Sequence, residues 1–275
     1  MRKRAIVFAI IVALASCKGK PTAPLSVQKS ATDSTQLLIA KLKPILQGVW
    51  VKQDYIQKVI ASKSPLAGLD KVIGITTIQF NIDNIEADSL QAKVSYDNQQ
   101  AGGVELIFRP GKHTPAMPFG ENELSYSING GDTSLILHQF YQNNWVLTPY
   151  VRALKNWNGR ELQEGIIYLI NKNIFAGTYQ LTDDTGKTCI VKLSIDGRIS
   201  GMPNFSTYLA ENTFDSKLKN NLDQITFDIF SSNEKTYAFN FEGNTLNLYE
   251  TKTAGNSTQL LQGKLKYKLV KLNDQ

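Results

Sequence analysis

The 275-residue sequence predicts an all-β protein, mainly antiparallel, organised as two tandem barrels or sandwiches with one or two short helices. Three observations carry that expectation. From Gly74 onward, short runs of alternating apolar and polar residues recur with the period of two that buries one face of a strand. Clusters of Gly, Asn and Asp punctuate those runs at the spacing of hairpin turns. A five-residue pattern of apolar residue, spacer, glycine, spacer and large aromatic occurs twice, as Leu46–Trp50 and Phe175–Tyr179.

The chain opens on Arg2-Lys3-Arg4, an apolar run from Ala5 to Ala13, and Leu14-Ala15-Ser16-Cys17. A positive start, a short apolar core and small residues at the cut make residues 1–17 an export signal. The apolar stretch is well short of the ~20 residues that a spanning helix needs. Leu14–Cys17 resembles the lipobox of bacterial lipoproteins, which implies a diacylglycerol on Cys17, cleavage before it, and membrane attachment through the acylated cysteine. By the same resemblance, the basic Lys18-Gly19-Lys20 implies an outer-membrane lipoprotein on the periplasmic face. Residues 18–35, with Pro21, Pro24, several Ser and Thr and a single acid, Asp33, read as a flexible tether.

Residues 36–157 read as the first β domain. A helix carries Leu37, Leu38, Ala40, Leu42 and Ile45 and stops at Gly48. Gly48-Val49-Trp50 opens a strand, and Asp54 caps a short helix with Tyr55, Ile56, Val59 and Ile60 that Pro65 and Gly68 end. Strands are expected over Ile75–Ile82, Leu90–Tyr96, Val104–Phe108, Leu124–Ile128, Ser134–Tyr141 and Trp145–Val151. The turns between them are Asp97-Asn98, Gly102-Gly103, Arg109-Pro110-Gly111, Asn129-Gly130-Gly131 and Asn143-Asn144. Residues 158–173 form a connector, and the wider stretch 156–172 fits either a helix carrying Leu162, Ile166, Ile167 and Ile170 or a further strand from Gly165 to Ile170.

Residues 174–275 read as a second, eight-stranded domain. Its strands are Thr178–Thr182, Thr188–Ile195, Arg198–Met202, Phe205–Ala210, Gln224–Phe230, Thr236–Phe241, Thr245–Thr251 and Gly263–Lys271. Eight strands of this length suffice for a sheet to close on itself. In the last one Leu265, Tyr267 and Leu269 alternate with Lys264, Lys266 and Lys268, which fits a solvated face that guards an edge.

A Gly-x-aromatic opening followed by consecutive antiparallel strands resembles the lipocalin-like (calycin) barrels, through Gly48-x-Trp50 and Gly177-x-Tyr179. The resemblance implies that Trp50 closes one end of its barrel and packs against an arginine from a late strand, a part open to Arg152. Tyr179 takes the aromatic place in the second unit, whose last strand contains no arginine. The whole chain also resembles the β-rich, lipocalin-like lipoproteins of Bacteroidota, which implies a location in the cell envelope.

Thirty Lys and Arg against 24 Asp and Glu give +6, half of it contributed by Arg2, Lys3 and Arg4, so the charge does not point to a nucleic-acid partner. With Cys17 acylated, Cys189 has nothing to pair with and reads as a small core hydrophobe on the face of Val191 and Leu193. His113 and His138 are the only histidines and stand in no metal-ligand spacing; no nucleophile elbow or phosphate loop occurs. Asp183 with Asp184, and Asp228 with Glu234, are the acid pairs near turns. No catalytic constellation, metal or cofactor is therefore expected.

Two functions stay open. In the first, the second barrel holds a small apolar or amphipathic ligand lined by Tyr208, Phe227, Phe239 and Tyr249, rings that serve equally to fill a solid core. In the second, the chain is a non-catalytic interaction module for envelope proteins or glycans, anchored on exposed aromatics such as Trp145, Tyr150 and Trp157.

Overall fold

Two antiparallel sheets, one in each half of the chain, make up most of the fold in a computed structural model that describes residues 31–98, 100–113, 115–156, 162–212, 221–253 and 259–272. Residues 1–30, which include Cys17 and the segments expected to be an export signal and most of a tether, lie outside the described residues, as does Trp157.

The first sheet contains β1 (Gly48–Lys52), β2 (Ile75–Phe80), β3 (Ile85–Glu86), β4 (Ser89–Tyr96), β5 (Gln100–Ile107), β6 (Met117–Phe119), β7 (Asn122–Asn129), β8 (Asp132–Tyr141) and β9 (Asn144–Leu154). Because β2 pairs with β1 on one side and β4 on the other, the circuit β1-β9-β8-β7-β6-β5-β4-β2 is closed. It is an eight-stranded antiparallel barrel, with β3 as a short flank on β4. Full closure removes the unpaired edges that invite association.

The second sheet runs β12-β11-β10-β17-β16-β15-β14-β13, from β10 (Gly177–Asp183), β11 (Thr188–Leu193), β12 (Ile199–Ser200), β13 (Tyr208–Ala210), β14 (Gln224–Phe227), β15 (Lys235–Glu242), β16 (Thr245–Thr253) and β17 (Leu260–Lys271). Its two ends meet through a single bridge, Arg198 to Thr207, flanked by Ile199 N–H to Ser206 O at 2.7 Å and Tyr208 N–H to Gly197 O at 2.8 Å. Asp228 fixes this junction, since one carboxylate oxygen accepts from the backbone N–H and hydroxyl of both Ser206 and Thr207.

The cores divide differently from the sheets. Helix α1 (Ala31–Leu46) turns Ile39, Leu42 and Leu46 into the first barrel, a spacing that places them on one face. Helix α2 (Gln53–Ser62) follows β1 directly, yet its buried Tyr55, Ile56 and Val59 belong to the second core, beside Ile166, Ile170 and Phe175. Asp223 reinforces the crossing by accepting from Ser64 Oγ at 2.5 Å and Leu66 N–H at 2.9 Å.

Several boundaries differ from the sequence expectation. Helix α1 begins at Ala31, inside the segment read as tether, with Asp33 favourable in its first turn. Gly102 and Gly103 lie within β5, where glycine leaves room for the Tyr96 ring packed against Gly102, and so do not form a turn. The short strand β6 went unread, being three residues long with Pro118 at its centre. Residues Glu164–Ile170 form helix α3, extended by a π-helical turn from Asn171 to Phe175 that leads into β10.

Candidate functional site

Each unit opens on the same small device. A helix ends at Leu46, Gly48 turns the chain, and the Trp50 indole N–H donates back to the Leu46 carbonyl at 2.8 Å. In the second unit the Tyr179 hydroxyl donates to the Phe175 carbonyl at 2.7 Å, again four residues back. Both rings are fully buried, and these bonds satisfy helix-end carbonyls that would otherwise lack partners. The glycines permit close approach: a Cβ on Gly48, at φ +117°, would lie 2.1 Å from the Leu154 carbonyl oxygen, and one on Gly177 would meet the Lys271 stem at 2.5 Å.

Arg152 of β9 lies over Trp50 at 4.4 Å from the ring centre and donates to the carbonyls of Ile45 and Pro44. In the second unit Lys271 of β17 stands 5.9 Å from the Tyr179 ring centre and donates to Ala176 O at 2.7 Å. Sequence reasoning passed over Lys271 by looking for an arginine. The available signal was parity, since Lys271 follows Leu269 on the inward face as Arg152 follows Tyr150.

Of the four aromatics proposed to line a ligand cavity, Tyr208, Phe227 and Phe239 are buried in the second core. Phe227 stacks on Phe205 at 4.9 Å, Phe239 meets Phe175 at 5.2 Å, and Tyr208 meets Phe175 at 5.8 Å while its hydroxyl donates to Ser194 O. Tyr249, half-buried, is not in that cluster. Tyr150 is buried too, its hydroxyl donating to Ile75 O at 2.7 Å. Trp145 alone of the proposed interaction aromatics is described and exposed, at 44%.

Trp145 belongs to a constellation on the outer face of the first barrel. Register places Glu123 opposite His138, His138 opposite Leu147, and Phe140 opposite Trp145 across β7, β8 and β9. The loop between β5 and β6 folds over this face and brings in His113, so the two histidines stack at 5.9 Å. Glu123, almost fully buried, accepts from the backbone N–H of Lys112 and His113 and contacts His113 Nδ1 at 2.6 Å. Burial alone would raise the Glu123 carboxyl, but these contacts outweigh it and hold the group below the usual range. His113 in turn meets Trp145 edge-on at 4.3 Å, with Phe140 supporting the indole at 5.4 Å.

Beside this indole lies an open groove of about 440 Å³, lined by Trp145 with Arg109, Lys112, Glu121, Asn122 and Glu123 among others. That volume falls within the roughly 300–1,000 Å³ of small-ligand sites. Phe140, Tyr141, Trp145, Val146 and Leu147 are all exposed on one hairpin, and of these Trp145 lines the groove. Sequence reading found neither the meeting of the histidines nor the groove, because both depend on a loop crossing three strands.

Ser125 Oγ lies 2.7 Å from His138 Nε2, and burial, then the neighbouring His113, lower the basicity of His138. Glu123 contacts His113, and among the described residues no carboxylate is hydrogen-bonded to the His138 ring. Elsewhere Asp183 caps its own turn, Asp184 pairs with Lys266, and Glu234 accepts from Phe230 N–H. Cys189 is half-buried at the edge of the second core. Among the described residues no group of three His, Cys, Asp or Glu is placed to hold a metal ion, and no helix is long and apolar enough to cross a membrane. No protein-family model matches the chain, and no curated protein matches it in sequence.

Proposed function

We propose that the chain is a non-catalytic interaction protein of the cell envelope, tethered through acylated Cys17 and presenting the outer face of its first barrel to a partner. The observation that carries this reading is Trp145, exposed at a groove yet held by His113, Phe140 and, through His113, by buried Glu123. An exposed tryptophan costs little to immobilise on binding when its neighbours already fix it. The carrier reading has less support, because Tyr208, Phe227 and Phe239 pack ring against ring. The closed barrel and the two Gly-x-aromatic clamps support a lipocalin-like fold for both units. The signal segment and its Lys18-Gly19-Lys20 sequel support an outer-membrane lipoprotein on the periplasmic face.

Photo-cross-linking tests the reading. A photoreactive phenylalanine at Leu147, in the lipidated chain in its native envelope, is expected to give a discrete adduct that Trp145→Ala removes. The same group at Ile190, equally exposed at 57% but on the second unit, is expected to give none. Equal labelling from both positions, or none from Leu147, contradicts the proposal.

A further inference from the structure

We infer that the tip of the β8–β9 hairpin seats in the headgroup layer of the bilayer that anchors the chain; this rests on the reading of the chain as lipid-anchored and names the partner that its first barrel meets.

The hairpin outruns the barrel wall. Register pairs β8 with β7 no further than His138 and β9 with β1 no further than Tyr150, so residues 139–149 ladder only with each other. Gln142 and Asn143, both at positive φ, close it as a tight two-residue turn. Every residue from Phe140 to Leu147 is exposed, and side chains alternate along each strand. Phe140, Trp145 and Leu147 therefore share one face, while Tyr141 and Val146 share the other. All five are 43–64% exposed. A protein groove would cover one face of such a ribbon, whereas a fluid headgroup layer surrounds both.

Charge points the same way. Residues 133–151 contain no Asp, Glu, Lys or Arg, in a chain that is 20% charged. A charge carried toward acyl chains is costly, so its absence from both strands removes the main opposition to seating. Trp and Tyr concentrate at the membrane–water boundary, where the ring meets acyl chains and the polar atom stays wet. Gln142, Asn143 and Asn144 at the turn, with the unpaired outer edges of the ribbon, need water and hold the tip at headgroup depth. Thirteen residues separate Cys17 from Ala31, a reach of at most about 50 Å. An acyl anchor on Cys17 thus keeps the hairpin at a high effective concentration of bilayer, and a weak apolar contact suffices as the second attachment.

Depth-dependent quenching tests this. The full lipidated chain carries Cys189→Ser and a nitrobenzoxadiazole fluorophore on Leu147→Cys, and is reconstituted in phosphatidylcholine vesicles with and without doxyl-labelled lipid. Emission from position 147 is expected to shift to the blue and to fall at least about twofold with doxyl lipid. The same fluorophore on Phe230→Cys, at a position 94% exposed on the second unit, is expected to show neither change. Tyr141→Asp and Val146→Asp, both at exposed positions, are each expected to remove at least half of the quenching at 147, whereas Ile190→Asp changes nothing. Because the ribbon is uncharged, high salt is expected to leave the quenching as it is. Equal quenching at 147 and 230, quenching that high salt abolishes, or no quenching at 147 overturns the inference. If quenching at 147 is absent while cross-linking from Leu147 captures a protein, the bilayer inference falls and the docking reading stands; if both are absent, both fall.

Discussion

Lys271 closes the second unit as Arg152 closes the first: its ammonium stands 5.9 Å from the Tyr179 ring centre and donates to the Ala176 carbonyl at 2.7 Å. Tyr179 itself donates to Phe175 O, so helix end, aromatic and last strand form one clamp. The arginine version is tighter, with Arg152 at 4.4 Å from Trp50 and bonded to two carbonyls.

Arg152→Ala is therefore expected to cost about 2–3 kcal/mol and Lys271→Ala about 1–2 kcal/mol, from lost charge-assisted hydrogen bonds and cation–π contact. Urea unfolding checks both, and Arg152→Lys is expected to recover part of the loss. A change below about 0.5 kcal/mol in Arg152→Ala, the range of ordinary surface substitutions, contradicts the clamp.

Gly48→Ala is expected to cost more than about 3 kcal/mol or to prevent folding, because overpacking and a left-handed backbone act together. Gly130→Ala serves as the control. Its φ of +59° is also positive but nothing lies within 4 Å of an added Cβ, so it isolates backbone strain from collision. Thermal unfolding of the two variants separates these causes.

The clamp shows how far the sequence could be read. Gly48 and Trp50 are legible as a Gly-x-aromatic motif, and Arg152 only through the resemblance to lipocalin-like barrels that the motif carries. The eight strands of the second sheet are legible because alternation and turn residues mark half-buried strands. What sequence does not reveal is which core a helix joins. Helix α2 follows β1 directly, yet its Tyr55, Ile56 and Val59 join the second core, a long-range partnership that local periodicity does not encode. The groove was hidden similarly, as Glu123, His113 and Trp145 are brought together only by the loop that crosses the barrel wall.

Asp223 gives the molecule a pH dependence at the junction of its halves. Burial raises its carboxyl, and donation from Ser64 and Leu66 only partly offsets this. A raised folded-state pKa means the folded protein binds the proton more tightly, so stability from this group declines as pH rises through the acid range and is lowest at neutrality. Asp223→Asn, which keeps an acceptor without the charge, is expected to match or exceed the native stability at pH 7 and to flatten the decline that sets in as pH rises above the ordinary aspartate range. Asp223→Ala is expected to lose about 1–3 kcal/mol at both ends, from donors left unpaired. Denaturant midpoints across pH check the sign.

Asp228 acts on the second sheet's closure. Asp228→Ala leaves four donors on Ser206 and Thr207 without their acceptor and is expected to speed hydrogen exchange at the Tyr208 amide, which bonds Gly197. The expected local loss is about 1–3 kcal/mol. Unchanged exchange at Tyr208 would show that the closing bridge stands without the carboxylate.

Glu123 works in the opposite pH direction from Asp223. Its folded-state pKa is depressed, so its contribution is present above the unfolded value and lost as pH falls through the folded one. As pH falls through the acid range the loop bearing His113 is expected to loosen and the Trp145 indole to gain mobility, whereas Glu123→Gln, which has no carboxyl to titrate, is expected to show the mobile indole already at neutral pH and to abolish the transition. Indole resonance linewidths followed against pH detect the change.

The most direct test is ¹⁵N relaxation of the Trp145 indole in the free chain at neutral pH. A held platform predicts an order parameter near ~0.85, falling below ~0.6 in His113→Ala. An indole already mobile in the native chain, or one that His113→Ala leaves unchanged, contradicts the claim that Glu123 and His113 hold Trp145 ready to bind.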